Sequence, residues 1–262
     1  ATVGTLYSSP VTAITTTNNP ITFSVVGNLP SFLTLNAGGS SQGVQIGNST
    51  ISQASAVASD TNGNYYVVQF GGNSIFKVTS DGTVTPWATK PRSNMVVYGS
   101  AVVVGNYLYI GYQNNSVGSY PGGLIRYDIT AQNPVVEEVV PEGVNAFFNI
   151  TYRNGFIYAG TYMGGKVVKV DLNNNHTVTN VVNVPWASGC AFDSAGNMYV
   201  TSPDTMKLWK YTTGGQLIDM GLTFSNFPFD VEVDSSGNVY VGTRDQGIRK
   251  YTPDLSSFVV IN

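Results

Sequence analysis

Three aspartates, Asp204, Asp230 and Asp245, are the side chains of this sequence best suited to acid–base chemistry. Paired carboxylates can act as general acid and base on glycosidic or lactone bonds. A nucleophilic triad is not expected, because it needs a base beside the nucleophile and the only histidine, His176, lies in an Asn-rich turn. The single cysteine, Cys190, begins an apolar segment and is expected to be a buried, inert thiol. The alternative role for the three aspartates is in ordinary turns.

A second group of side chains with binding potential is aromatic. Aromatic faces with amide and hydroxyl neighbours suit sugar rings or an uncharged protein surface. Several such residues are expected on loops at one end of the fold, near the three aspartates. The predicted ligand-binding set is Tyr112, Asn145, Tyr162, Trp186, Asp204, Phe229, Asp230, Arg244 and Asp245. The alternative is that these rings only fill a central channel.

A repeated strand motif must position these residues. In its clearest copy, residues 229–251, an Asp-Ser-Ser-Gly-Asn turn is followed by Val-Tyr-Val, and a later segment reads Ile-Arg-Lys-Tyr. The copies align on one tyrosine each, namely Tyr66, Tyr109, Tyr158, Tyr199 and Tyr240. A period of about 40–50 residues without helical periodicity predicts a β-propeller with one four-stranded blade per repeat.

The motif has a physical reason. Its glycine tolerates positive φ, its aspartate can bond the turn backbone, and Val and Tyr fill both faces of a central strand. The recurrent Lys or Arg is expected to cover apolar surface with its stem while its head stays in water.

The whole chain, 1–262, is predicted to be one all-β domain, a six-bladed β-propeller of four-stranded antiparallel blades with almost no helix. The five clear blades are assigned to 53–93, 94–144, 145–186, 187–226 and 227–262. Residues 1–52 alternate like strands but less regularly, and they are assigned to a degenerate blade or to closing strands. A separate small β-module is the alternative for this segment.

Composition limits the partners and the compartment. Charged residues make up 10% of the chain, against about 25% in typical domains, and the formal net charge is −3. A nucleic-acid partner is therefore not expected, and no apolar run is long enough to span a membrane. The hydroxyl-rich composition favours an extracellular, secreted or surface-displayed protein. Glycosylation sequons begin at Asn48, Asn114 and Asn175, and a fourth, at Asn149, is expected inside a strand.

The Asp-x-x-Gly-Asn-x-Tyr-Val motif, with its hydrophobic-x-Lys/Arg-Tyr/Val partner, resembles the NHL-repeat, SMP-30/gluconolactonase and virginiamycin-B-lyase group of propellers. The resemblance covers about four-fifths of the chain and implies blade structure. In the lactonase branch a divalent cation such as calcium lies over the central channel, and the matching positions here imply Asn145 and Asp230 as ligands. No glutamate stands at the expected position, and Trp186 occupies another.

The sequence therefore predicts an extracellular, non-catalytic propeller that acts as a binding or structural component, as in a cell-surface, appendage or virion protein. It would contact a glycan or protein surface through loops at the channel mouth, or associate with itself in an assembly, and would need no cofactor. The alternative is a metal-dependent hydrolase or lactonase that uses Asn145 and Asp230 around a divalent cation.

Overall fold

A computed structural model of the chain describes residue 51 and the ranges 53–70, 72–92, 94–115, 120–143, 146–244 and 247–261. These residues form five antiparallel sheets and no helix. The predicted all-β propeller of four-stranded blades is confirmed, but the described part of the chain contains five blades where six were predicted. The predicted sixth blade rested on residues 1–52, which contain no copy of the turn motif, and of these only Ile51 lies within the described residues.

Each blade is a meander of strands. Blade 1 contains β1 (Ala54–Ser59), β2 (Tyr65–Gln69), β3 (Ser74–Val78) and β4 (Val84–Thr89). Blade 2 contains β5 (Met95–Val96), β6 (Ala101–Val104), β7 (Tyr107–Asn114), β8 (Gly122–Asp128) and β9 (Val136–Val140). Blade 3 contains β10 (Asn149–Arg153), β11 (Phe156–Gly160), β12 (Lys166–Asp171) and β13 (Val178–Asn183). Blade 4 contains β14 (Cys190–Phe192), β15 (Met198–Ser202), β16 (Lys207–Tyr211) and β17 (Leu217–Thr223). Blade 5 contains β18 (Pro228–Val233), β19 (Val239–Thr243), β20 (Gly247–Tyr251) and β21 (Phe258–Ile261).

In blades 1, 4 and 5 the turn between the first two strands is held by its aspartate. In blade 1, Asp60 Oδ1 accepts bonds from the backbone N–H groups of Asn62 and Asn64 at 2.9 Å each. Asn64 Nδ2 donates to Asp60 Oδ2 at 2.8 Å, and Gly63 has a φ of +79° that an L-residue rarely adopts. Asp193 and Asp234 make the same bonds to Asn197 and Asn238. The motif aspartates are therefore structural.

The repeated tyrosine and the repeated cation form a cross-strand pair on one face of each blade. The register places Tyr66 opposite Lys77, and the other four blades repeat this pairing. In blade 4, Lys210 Nζ lies 4.9 Å from the Tyr199 ring centroid and donates to its hydroxyl at 3.1 Å. The five cations are half-buried, which is the role that the sequence predicted for them.

The blades bury their faces against one another. Tyr66, Val68 and Ile75 of blade 1 pack on Leu108 and Ile110 of blade 2, and similar clusters join blades 2 to 3, 3 to 4, and 4 to 5. This stacking leaves the first strand of each blade beside the central channel. No helix in the described part of the chain is long and apolar enough to cross a membrane.

Candidate functional site

The first strands are irregular where they face the channel. In β1, Ala54 pairs with Gln69 and Ala56 with Val68, so Ser55 is an extra, unpaired residue. In β18 the same irregularity leaves Phe229 unpaired between Pro228 and Asp230. Bulges of this kind turn a side chain away from its sheet and are common beside functional sites. In blade 2 the first strand is split into β5 and β6, and the break contains Tyr98.

These irregularities open onto a cavity of about 420 Å³ at one end of the channel. We call this end the channel mouth. Blades 1, 2, 3 and 5 contribute to its walls. The lining residues are Ser55, Phe70, Val97, Tyr98, Gly99, Gln113, Phe148, Asn149, Tyr162, Phe229 and Asp230. A concave, mostly apolar cavity with a few polar groups is the usual form of a ligand site.

Five rings form a continuous series across the mouth, which we call the aromatic ladder: Phe70, Tyr98, Phe148, Tyr162 and Trp186. Phe148 lies between Tyr98 and Tyr162 in two nearly parallel stacks, each with a centroid separation of 4.7 Å. Phe70 meets Tyr98 edge to face at 5.1 Å, and Trp186 is tilted against Tyr162 at 5.1 Å. Phe229 lies beside the ladder, 5.9 Å from Phe148.

The backbone of the ladder is strained. Tyr162 has a φ of +50° and Trp186 a φ of +44°, a region in which bulky L-residues are rare. The strain is held in place by an isolated bridge, in which the Tyr162 N–H donates to the Ala187 carbonyl at 2.6 Å. Each such residue costs about 1–3 kcal/mol and such residues concentrate at functional sites.

The loop that carries Phe70 is fixed by a buried lysine. Lys90 is only 5% exposed, and its Nζ donates to the carbonyl oxygens of Gln69, Phe70 and Met95 at 3.2, 3.3 and 2.8 Å. Burial lowers the pKa of Lys90. Lys90 therefore ties the mouth of blade 1 to the first strand of blade 2.

Asp230 is the charged group of the cavity. Its Oδ1 accepts a bond from Asn149 Nδ2 of blade 3 at 2.5 Å and one from the Val231 N–H at 2.8 Å. Burial raises the pKa of Asp230 to about 6, and the Val231 bond opposes this rise. A Cβ at Gly189 would lie 2.7 Å from the Asp230 Cα, so glycine there allows β18 to approach the preceding blade.

Glu232 is a second acid on the same strand. Burial, and then the charge of Asp230, raises the pKa of Glu232 to about 7. Its side chain nevertheless keeps a substantial exposed surface, so solvent screens its charge more than that of Asp230. Asp230 is therefore the less exposed of the two acids.

Gln113 adds a polar group without a partner. Its side chain is 5% exposed and its Nε2 donates to Asn115 Oδ1 at 2.6 Å. Among the described residues no donor reaches Gln113 Oε1, which is buried. An unsatisfied buried acceptor costs about 1–3 kcal/mol, so a ligand donor could stabilise it.

The predicted binding residues separate into several groups. Tyr162, Phe229 and Asp230 line the cavity, and Trp186 ends the ladder. Tyr112 does not line the cavity, because its ring is buried between blades 1 and 2 and is 1% exposed. Asp204 is exposed on the turn between β15 and β16, and Arg244 lies in an exposed turn, its N–H bonded to the Phe227 carbonyl at 2.9 Å. Asn145 and Asp245 lie outside the described residues.

The metal site that the resemblance implies does not fit the described residues. No group of three or more His, Cys, Asp or Glu side chains is placed among them to hold a metal ion. Asn145 is not described, and Asp230 already accepts the Asn149 amide, whose N–H group points at the carboxylate as a cation would. The lactonase alternative therefore has no complete ligand set in this part of the chain.

The glycosylation sequons differ in their exposure. Asn175 is exposed at the hairpin tip between β12 and β13, where a glycan can be accommodated. Asn114 is 5% exposed and its Nδ2 donates to Glu142 at 2.9 Å, so that nitrogen is closed to a glycan in the folded chain. Asn149 is in β10 and buried, and Asn48 lies outside the described residues.

The comparisons with known proteins are structural. No family model matches the chain, and no curated protein matches it. Virginiamycin B lyase from Staphylococcus aureus gives a TM-score of 0.60 at 14% identity, over 80% of this chain and 70% of that one. A gluconolactonase from Xanthomonas campestris gives 0.62 at 13% identity, over 79% and 74%. A structure of a nidogen/laminin complex gives 0.63 at 13% identity, over 79% and 78%. Identities this low show a shared propeller fold alone.

Sequence reasoning missed the lining residues Ser55, Phe70, Val97, Tyr98, Gly99, Phe148 and Asn149. A usable signal exists for Asn149. In blades 3, 4 and 5 the repeated tyrosine pairs with a residue of the first strand. The residue two positions before that partner is Asn149, Gly189 and Asp230, respectively, so these three residues occupy equivalent positions beside the channel. The bulge at Ser55 and the break at Tyr98 have no signal in the repeat.

Proposed function

We propose that this propeller is a non-catalytic binding module, displayed outside the cell, that engages a protein partner at the channel mouth. The observation that carries the proposal is the aromatic ladder around a 420 Å³ cavity with polar groups in its wall. If the partner is another subunit of a surface, appendage or virion assembly, this binding function is a structural role in that assembly.

A protein partner suits the ladder better than a glycan. A sugar ring stacks on a free aromatic face, but both faces of Phe148 are covered by Tyr98 and Tyr162. Phe70 and Phe229 are not in parallel stacks, and they are better placed to contact an inserted side chain. A cavity lined by aromatic residues that receives one anchor residue is typical of protein interfaces.

The fold neighbours support binding and catalysis on this scaffold alike. One was solved in a nidogen/laminin complex, which is a contact between proteins, and two are named as a lyase and a gluconolactonase. The described channel offers one half-buried carboxylate and no second acid bonded to it, which favours binding. The extracellular location is supported by the low charge content and by the exposed sequon at Asn175.

The test is a selection of peptides from a displayed random library on the immobilised full-length protein. Selected peptides should lose about tenfold or more in affinity for Phe70→Ala, because Phe70 is a mouth ring that is 38% exposed. The matched control is Tyr152→Ala, a ring that is 41% exposed on β10 and does not line the cavity. It should bind the peptides as the unmodified protein does.

Three results would overturn the proposal. Peptides could bind both variants equally, which would place their site elsewhere. Neutral oligosaccharides such as maltoheptaose could bind at the mouth while no peptide does. The purified protein could retain calcium or zinc and hydrolyse gluconolactone, which would establish the metal-dependent alternative.

A further inference from the structure

The cavity contains a carboxylate that pairs with no cation among the described residues. Asp230 accepts bonds at Oδ1 from Asn149 and Val231, and no described donor reaches its Oδ2. The ion pairs among the described residues do not include Asp230. A buried carboxylate is costly unless a cation compensates its charge.

Gln113 adds a second polar side chain to the same wall. Gln113 Oε1 is a buried acceptor with no partner among the described residues, and the Gln113 side chain lines the same cavity as Asp230. Carboxylate and carbonyl oxygens are acceptors only, so the complementary ligand group must donate hydrogen bonds.

The remaining walls are aromatic. Phe70 and Phe229 line the cavity without being part of a parallel stack, and Tyr98 and Tyr162 line it beside them. Ring faces attract cations by about 0.5–2 kcal/mol, more where water is excluded. An anion would be repelled by Asp230, and a neutral hydroxyl would leave its charge uncompensated.

From these groups we infer that the cavity binds an alkylammonium group, and that its source is a lysine side chain of the protein partner. The ammonium would bond Asp230 Oδ2, and its alkyl stem would lie against Phe70 and Phe229. This inference rests on the proposed function for the identity of the partner, while the ammonium chemistry rests on the cavity itself.

The raised pKa of Asp230 agrees with a cation-binding cavity, because its cause is burial without a compensating charge. A bound cation would lower the pKa of Asp230, because an opposite charge nearby favours the ionised carboxylate. The lysine stem also matches the apolar part of the wall, since lysine places its methylene groups against apolar surface and its charge at a polar end.

The experiment measures binding of Nα-acetyl-lysine N-methylamide to the full chain at pH 7.5 by two-dimensional NMR titration. The uncharged comparison probe is Nα-acetyl-norleucine N-methylamide, which has the same stem without the ammonium. The lysine probe should bind with shifts at the mouth, and the norleucine probe should bind about tenfold more weakly or worse.

Asp230→Asn should weaken the lysine probe by about tenfold or more, because the substitution keeps the side-chain shape and removes the charge. The control is Asp254→Asn, which removes an exposed turn carboxylate of the same blade and should leave binding unchanged. Equal binding of the two probes, or unchanged binding by Asp230→Asn, would overturn the inference.

Two further arms separate the inference from the proposed function. A library peptide that binds at the mouth should lose affinity when its lysine is acetylated, and if it does not, the protein-binding function stands and the lysine assignment falls. n-Pentylammonium should bind more weakly than a lysine-containing peptide. Equal binding would show that the site recognises free amines and would overturn the protein source.

Discussion

Asp234 and Asp230 lie four residues apart in blade 5, one in the turn after β18 and the other within that strand. The Asp234 carboxylate accepts bonds from the Asn238 side chain, the Asn238 and Ser236 N–H groups and the Tyr240 hydroxyl. The Asn238 side-chain bond is the main cause that lowers the pKa of Asp234, and the other bonds add to it. Burial raises the pKa of Asp230 to about 6.

The opposite pKa shifts of Asp234 and Asp230 distinguish a structural aspartate in a turn from an aspartate in the channel. The turn carboxylate is surrounded by donors that the repeat supplies, so its charge stabilises the blade. The channel carboxylate has two donors and forms no ion pair with a described residue, so we expect its charge to destabilise the fold at neutral pH. A group kept at such a cost, inside a cavity, is a candidate for ligand binding.

The largest effect is expected where a turn carboxylate is removed. Asp193→Ala would abolish the bonds to Asn197 and the ion pair with Lys210, at 3.3 Å. We expect the free energy of unfolding to fall by about 2–3 kcal/mol, with the ion pair contributing little because it is partly exposed. Urea denaturation measures this change.

Asp193→Asn is the control for this prediction, because asparagine keeps one acceptor for the Asn197 N–H and loses the charge together with the acceptor for Asn197 Nδ2. It should be destabilised by less than the alanine variant. Equal loss in the two variants would show that the second oxygen and its charge, rather than the bond from the Asn197 N–H, are what blade 4 requires.

The second-largest effect is expected to be an increase in the free energy of unfolding. Asp230→Asn should raise the free energy of unfolding at pH 7.5 by about 1–2 kcal/mol, after allowance for the solvent that reaches the channel. The reason is that a folded-state pKa of about 6 makes the ionised form unfavourable above that pH. A destabilised variant would show that Asp230 is structural, like the turn aspartates.

The smallest effect is expected at Glu232. Glu232→Gln should raise stability at pH 7.5 by a few tenths of a kcal/mol, because the side chain is exposed and screened. In the Asp230→Asn protein the pKa of Glu232 should be lower, since the charge of Asp230 is one of the causes that raise it. Carboxyl-detected NMR titration measures the pKa of Glu232 in the unmodified protein and in Asp230→Asn. An unchanged pKa of Glu232 would mean that the two acids are not coupled.

The turn aspartates could be predicted from the sequence because their partners are local. Asp60, Asn64 and Tyr66 lie within seven residues, so one motif contains the whole bonded group, and its repetition gives the blades. The same locality explains why five blades, and not six, are found in the described part of the chain: the motif occurs only from residue 53 onward, and 1–52 was assigned to a degenerate blade or closing strands without it.

The channel could be predicted only in part, because its contacts are long-range. Asn149 and Asp230 bond across 81 positions of the sequence, and no local pattern indicates that pair. The cavity depends on a bulge at Phe229 and the ladder on a broken strand at Tyr98, and the regular repeat indicates neither. Tyr112 was misplaced because it continues a strand that the repeat suggested had ended, so its ring enters the core.

The pH dependence of stability tests the contrast between the two classes of carboxylate most directly. The free energy of unfolding would be measured in urea, which does not screen charges, from pH 3 to pH 8. The turn aspartates, with lowered pKa values, lose their contribution below about pH 4, whereas the channel acids impose their cost as pH rises from about 4 to about 7. We therefore predict a maximum near pH 4, with a decline toward pH 7 that Asp230→Asn largely removes. A stability that stays level or rises between pH 4 and pH 7, with the same curve for Asp230→Asn, would contradict a strained carboxylate in the channel.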